Sequence, residues 1–187
     1  GRPGLRAEHG EVLMELGRFE AAREVLDAAI DEAAAAGNAR VRAGADLLRL
    51  RVRVFSGEPG DWSETALASA HAAVPLFERE DAHGELARAW RLIGFIHGVA
   101  GRYGESTDAV TRALEHARRA GDERLVARSA MGLSISALLG PTPVPQAIEQ
   151  CERILAEQLR DRQAESKTLC TLAQLRAMTG AFDDARA

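Results

Sequence analysis

The chain has 187 residues, long enough to bury a sizeable core and short enough that one domain is the default. Its 24 basic and 28 acidic residues leave a net charge of −4, too mild for the electrostatic footprint of a nucleic-acid binder or an acidic tail. No stretch approaches the ~18 apolar residues of a membrane span, no signal peptide is visible, and two cysteines without a CxxC spacing form neither a disulfide framework nor a zinc site, so the cytoplasm is the expected compartment.

Strand signals are absent, and Ala, Leu, Glu and Arg, all strong helix formers, are abundant. The predicted elements, in chain order, are helices near residues 4–16, 18–36, 39–56, 61–79, 82–100, 102–120, 122–139, 144–159 and 161–179, with another beginning at 181. Gly37 and Gly121 stand where the second and sixth would end, followed by Asn38 and Asp122, which suit the cap of the next helix. Pro75 lies inside the fourth and should kink it, because it cannot donate to the carbonyl of His71. The fifth, AHGELARAWRLIGFIHGVA, places Leu86, Ala89, Trp90, Ile93 and His97 on one stripe at steps of three and four. The sixth does the same with Val110, Ala113, Leu114 and Ala117, leaving Asp108 and Glu115 on the wet side. Asp183 and Asp184 open the last helix, where acidic groups suit the dipole. The sequence starts at Gly1 without a methionine and stops soon after this helix begins, so a piece of a longer protein is expected.

A repeat underlies these elements. GRFEAA (17–22), GRYGES (101–106) and GAFDDA (180–185) share glycine, an aromatic two residues on and a small residue three further on, and they start 84 and 79 residues apart. Each interval is about twice a period near 42, and weaker copies stand between: GDWSET (60–65), with Trp62 in the aromatic slot, and the proline-rich GPTPVPQA (140–147). The joints AAGNAR (35–40), REDAHG (79–84), RAGDER (119–124) and LRDRQA (159–164) recur at about 40 residues. Self-similarity at this length marks a repeat architecture. In each motif glycine permits the turn between antiparallel helices, the aromatic anchors the second helix on the first, and the small residue allows close approach.

Trp90, Ile93, Gly94, Gly101, Tyr103, Ser106, Val110 and Ala113 fall on the spacing of the tetratricopeptide (TPR) pattern, which this region resembles. His97 stands where the pattern has an aromatic, Ser106 where it has alanine, and the period near 42 exceeds the standard 34. The first unit is similar through Gly10, Gly17, Phe19, Ala22 and Ala29, and the fifth through Leu172, Gly180, Phe182 and Ala185; the second and fourth match poorly. The resemblance implies an all-α, right-handed superhelical stack of antiparallel helix pairs over residues 1–187, four pairs and the start of a fifth. Three stretches, DWSETALASAHAAVPLFERE (61–80), GRYGESTDAVTRALEHARRAGDE (101–123) and LLGPTPVPQAIEQCERILAE (138–157), resemble more narrowly the helical C-terminal region of bacterial adenylate/guanylate cyclase–ATPase proteins and of LuxR- or SARP-type ATPase regulators. No GxxxxGK[ST] phosphate loop is present, so any cyclase or ATPase chemistry of such a parent would lie outside these residues.

Catalytic, cofactor and metal sites are not expected. His9, His71, His83, His97 and His116 are scattered without metal-ligand spacing, and no Ser–His–Asp spacing can be argued. Cys151 and Cys170 sit nine and ten residues from the turn near 160, at similar heights on a hairpin; two unlinked buried thiols are expected, a redox pair being the alternative. In such arrays the first helix of each pair lines the concave face. Arg42, Arg49 and Arg53, spaced seven and four, and Arg88, Arg91 and Phe95, spaced three and four, should point into it, joined by Lys167 and Gln174. Arginine offers bidentate recognition of carboxylates, so a basic groove receiving an acidic segment of a partner, or another domain of the parent, is expected. The bland reading of the same arginines is solvated helix faces paired with Glu or Asp. The expected function is therefore a non-catalytic protein-interaction and regulatory module of a bacterial signalling protein, or alternatively a domain that senses a small effector to control an ATPase, cyclase or transcription regulator. Neither membrane nor nucleic acid is an expected partner, and homodimers through exposed repeat ends are plausible.

Overall fold

The computed structural model describes residues 2–57, 62–157 and 160–186. Among these the chain is helical, without strands, and its elements are α1 (Arg2–Glu15), α2 (Phe19–Ala35), α3 (Ala39–Ser56), α4 (Trp62–Arg79), α5 (His83–Val99), α6 (Tyr103–Ala120), α7 (Glu123–Leu139), α8 (Val144–Ala156), α9 (Arg162–Met178) and α10 (Phe182–Arg186). Each helix lies within a few residues of its expected place. α1 starts earlier than expected, with Pro3 in its first turn, where a missing N–H leaves no hydrogen bond unmade. α4 continues through Pro75, whose side is exposed. Gly60 and Asp61 of the GDWSET motif, and residues 158 and 159 at the expected end of the eighth helix, lie outside the described residues.

The chain divides into two compact units, Gly1–Asp81 and Ala82–Ala187. In the first, α1 packs on α2, α2 on α3, α3 on α4, and α1 also meets α3. In the second, consecutive helices pack likewise, and the odd-numbered helices meet one another, α5 with α7 and α7 with α9. The even-numbered helices α6 and α8 make no such contact among the described residues. Within this unit the odd helices thus form an inner row, and the even ones an outer row in which α6 reaches the end of α8 through Arg118, whose Nη2 donates to Glu157 Oε1 at 2.7 Å.

The motif residues act largely as their chemistry suggests. Gly101 has φ 74°, a left-handed conformation that a side chain disfavours, and it turns the chain from α5 into α6. At the joint before α5 no glycine is available, and Asp81 itself takes φ 51°. Gly10 and Gly94, 84 residues apart, serve close approach instead: a Cβ on Gly10 would lie 2.5 Å from Leu26 Cγ, and one on Gly94 2.5 Å from Val110 Cγ2. Ala22 and Ser106, the small residues of the first and third motifs, are buried. The Ser106 hydroxyl donates to the Gly94 carbonyl at 2.8 Å and lies 3.1 Å from Ser136 Oγ, so the departure from alanine is satisfied by two neighbours.

Two details differ from expectation. Gly140, which opens the weaker copy GPTPVPQA, is extended (φ −95°, ψ −169°) and not left-handed like Gly17, Gly101 and Gly180 of the three strong motifs. It is needed because a Cβ would meet Ser136 O at 2.5 Å and Tyr103 Cβ at 3.1 Å, so the aromatic of the third motif packs toward the next pair as well as its own. In the last motif Phe182 is 59% exposed and anchors little, unlike Phe19, which packs against the core of Leu13, Ala22, Leu26, Leu48 and Val52.

Candidate functional site

The inner row of the second unit is positioned by its helix caps. Asp122 caps α7, accepting from Leu125 N–H at 2.9 Å, and Asp161 caps α9, accepting from Ala164 N–H at 2.9 Å. Each capping carboxylate also faces an arginine from the previous odd helix. Arg88 Nη2 of α5 is 4.0 Å from Asp122 Oδ2, and Arg128 Nε of α7 is 3.0 Å from Asp161 Oδ2. The second pair is the tighter and drier, with side chains 18% and 13% exposed; its Nε is near enough for an ion pair but not aligned for a hydrogen bond, while Nη1 of Arg128 donates to Gln163. Arg88 and Arg128 are 40 residues apart, and Asp122 and Asp161 39, so this latch is itself a repeated feature.

The same offsets place the rest of the exposed face. Phe95 of α5, Ile135 of α7 and Gln174 of α9 are equivalent, as are Val99, Leu139 and Met178. Phe95 and Ile135 are a little over one-third exposed; Val99, Leu139 and Met178 are more than half exposed. Toward the starts of the same helices stand Arg88, Arg128 and Lys167, and between lie half-buried Arg91 and Met131 and exposed Cys170. Among the described residues no carboxylate pairs with Lys167, which is exposed. The face is therefore cationic near the helix starts, where the latches neutralise much of the charge, and apolar near the helix ends.

Of the residues expected on the groove, Arg88, Arg91, Phe95, Lys167 and Gln174 belong to this unit. Arg42, Arg49 and Arg53 lie on α3 in the first unit. Arg42 is 3.9 Å from Asp46, and Arg49 is 3.6 Å from Asp27 of α2 and 3.9 Å from Asp46; Arg53 is exposed. The bridge between the odd helices α1 and α3 is made instead by Arg51, 3.4 Å from buried Glu11 and 5.9 Å from the centre of the Phe55 ring. Burial holds the Asp46 carboxyl above its ordinary value of 3.8, with the charges of Arg49 and Arg42 opposing and Asp27 adding to the rise. Arg128, Ile135, Leu139, Met178 and Val99 escaped the sequence reading, although the joint spacing applied to Arg88, Phe95 and their neighbours points to them.

Other expected groups resolve differently. Cys151 is buried against Leu172 and Leu175, and burial, with the charge of Glu152 adding, pushes its thiol up to about 11. Cys170 is exposed, which corrects the expectation of two buried thiols: it lies on the face of α9 that carries Lys167 and Gln174. His97 is half-buried and accepts from Arg102 Nε at 3.0 Å, so the position of the missing aromatic is used for a polar contact across the turn. His83 and His116, 33 residues apart, come together with their Nδ1 atoms 3.1 Å apart. Among the described residues no group of three or more His, Cys, Asp or Glu is gathered as a metal centre, and no helix is long and apolar enough to cross a membrane.

No family model matches the chain, and no curated protein sequence matches it. Solved structures do. The chain is similar to the kinesin light chain-named, nearly identical TPR-like repeats of Podosopora anserina (15% identity, TM-score 0.68, 98% of this chain and 91% of that one). It is similar to BtubC (BKLC) from P. vanneervenii (20%, TM-score 0.72, 99% and 77%) and to the apo form of RapI (15%, TM-score 0.73, 99% and 66%). At these identities the likeness is one of fold: the chain is all-α and built of TPR-like helix pairs.

Proposed function

We propose that the chain is a protein-interaction module whose second unit docks a partner segment on the inner row of α5, α7 and α9. One observation carries this reading: exposed apolar residues at equivalent repeat positions, Phe95 and Val99, Ile135 and Leu139, then Met178, on helices that neighbour one another. Isolated exposed apolar side chains are ordinary, but a repeated row of them marks a binding surface. Arg91, Lys167 and Gln174 border the row, so the partner segment combines apolar side chains with acidic ones. Arg42, Arg49 and Arg53 lie in the first unit, where Arg42 and Arg49 face Asp46 and Asp27, and are not part of this docking face. The stretches similar to cyclase–ATPase and LuxR- or SARP-type regulators support a place in a cytoplasmic bacterial signalling protein, where docking is relayed to a catalytic or DNA-binding partner domain. The module itself carries no chemistry in this reading.

The test is a pull-down from lysate with the wild type beside Ile135→Ser/Leu139→Ser and Leu5→Ser, the last altering an exposed residue of the first unit. Bound proteins and small molecules are both identified by mass spectrometry. A protein held by the wild type and by Leu5→Ser but lost from the double variant is the expected result. The same proteins held by all three chains would refute the docking face. A small molecule released from the purified wild type would favour the effector-sensing alternative.

A further inference from the structure

From the meeting of His83 and His116 we infer a binding site for one nitrogen-preferring divalent transition-metal ion, of the Zn²⁺, Ni²⁺ or Cu²⁺ class, between α5 and α6. His83 is the first residue of α5, and His116 lies in the penultimate turn of α6. The two helices pack along their lengths, which brings residues 33 apart in sequence to one end of the pair. The Nδ1 atoms are 3.1 Å apart while the ring centres are 5.2 Å apart at 36° between planes, so the Nδ1 corners face inward toward each other. Two imidazole nitrogens bound to one ion at about 2.0–2.1 Å lie roughly 2.9–3.3 Å apart, for angles between right and tetrahedral. The pair thus stands at the bite distance of a metal without movement of either helix, and small rotations of the rings turn both lone pairs onto a shared ion.

Without metal the short contact is a hydrogen bond, with one Nδ1–H donating to the other Nδ1. When an ion binds, the donor ring moves its proton to Nε2 and both Nδ1 lone pairs bind the metal, with no net proton released from a neutral pair. Water fills the remaining positions, since no third protein ligand is gathered there among the described residues. Imidazole selects zinc, nickel and copper over magnesium and calcium, which require oxygen ligands. The bound ion would tie the start of α5 to the end of α6, in the pair whose sequence is the most TPR-like.

The experiment titrates untagged protein with NiCl₂ and CuCl₂ in a non-coordinating buffer at pH 7.5, by calorimetry and by Cu²⁺ electron paramagnetic resonance. Wild type, His83→Ala, His116→Ala, His116→Gln and His71→Ala are compared, with circular dichroism confirming that each is folded. The expected result is one ion per chain, two nitrogen couplings in the copper spectrum, at least tenfold weaker binding in every variant at His83 or His116, and unchanged binding in His71→Ala. If His83→Ala or His116→Gln binds as tightly as the wild type, or copper reports one nitrogen in the wild type, or no ion binds at millimolar concentration, the site does not exist.

Discussion

Replacing Asp161 with alanine removes two supports from α9 at once. Oδ1 accepts from the Ala164 N–H at 2.9 Å, and Oδ2 lies 3.0 Å from Arg128 Nε. Loss of a helix N-cap costs about 1 kcal/mol. Stranding an arginine that is mostly out of water costs a further ~1–3 kcal/mol. Asp161→Ala should therefore cost about 2–4 kcal/mol. Asp161→Asn keeps the cap, because asparagine caps as well as aspartate, and should show the charge part alone, ~1–2 kcal/mol. Asp122 is the control within the same fold. It caps α7 with the same 2.9 Å contact, but its arginine is at 4.0 Å and both side chains are more exposed, so the ion pair is worth ~0.5 kcal/mol or less. Asp122→Ala should cost about 1 kcal/mol and Asp122→Asn almost nothing. Urea unfolding midpoints at unchanged slope measure all four. The reasoning fails if Asp161→Asn is as harmless as Asp122→Asn, which would leave the ion pair without weight, or if it is as damaging as Asp161→Ala, which would leave the cap without any.

Three further outcomes follow from the packing. Gly94→Ala should cost about 1–3 kcal/mol by overpacking against Val110, with much of the loss recovered in Gly94→Ala/Val110→Ala, whereas Gly104→Ala, with nothing near its Cβ, should stabilise α6 by up to ~1 kcal/mol; thermal denaturation compares them, and equal effects at the two glycines would contradict the close approach. At pH 8 a disulfide reagent should label Cys170 rapidly and Cys151, with its thiol near 11, only on unfolding; loss of the fast phase in Cys151→Ser would reverse the assignment. Asp46 keeps its proton more readily folded than unfolded, so its contribution to stability falls as pH rises above the ordinary 3.8. Asp46→Asn should therefore gain on the wild type as pH rises from 3 to 7, since the exposed pairs with Arg42 and Arg49 at 3.9 Å offset little; a gap that moves the opposite way in pH-dependent urea unfolding would show that those arginines outweigh burial.

Helix positions were legible because they depend on local chemistry. Asn38 and Asp122 cap the helices that the sequence assigned to them, and the buried stripe of Leu86, Ala89 and Ile93 follows from periodicity alone. Gly101 was legible as a turn, but the reason for Gly94 was not, since its neighbour Val110 is fixed only once α5 lies on α6. Side-chain register across helices was harder still. Arg49 reads as an inward cation from its spacing, yet it reaches toward Asp27 of α2, and it is Arg51 that bridges to α1. Spacing identifies residues that share a face, but only packing says which neighbour the face meets. The His83–His116 contact depends wholly on how far α6 overlaps α5, and no one-dimensional pattern encodes that.

The latches also change how the proposed docking face should be probed. Arg88 is a natural candidate for a ligand-binding cation when read from sequence, and charge reversal is the natural experiment. In the fold its guanidinium approaches the carboxylate that caps α7. Arg88→Glu would place a negative charge beside Asp122 and disturb the start of the neighbouring helix, so lost binding would not distinguish a missing contact from a shifted α7. Leu139 and Ile135 carry no such burden: they are exposed and lie on the opposite half of α7 from its cap. Their replacement by serine removes apolar surface while leaving every latch in place. On the proposed reading, then, affinity resides in the apolar row. The cations at the helix starts serve first to order successive pairs, and Lys167 remains the charge on this face most available to select an acidic partner.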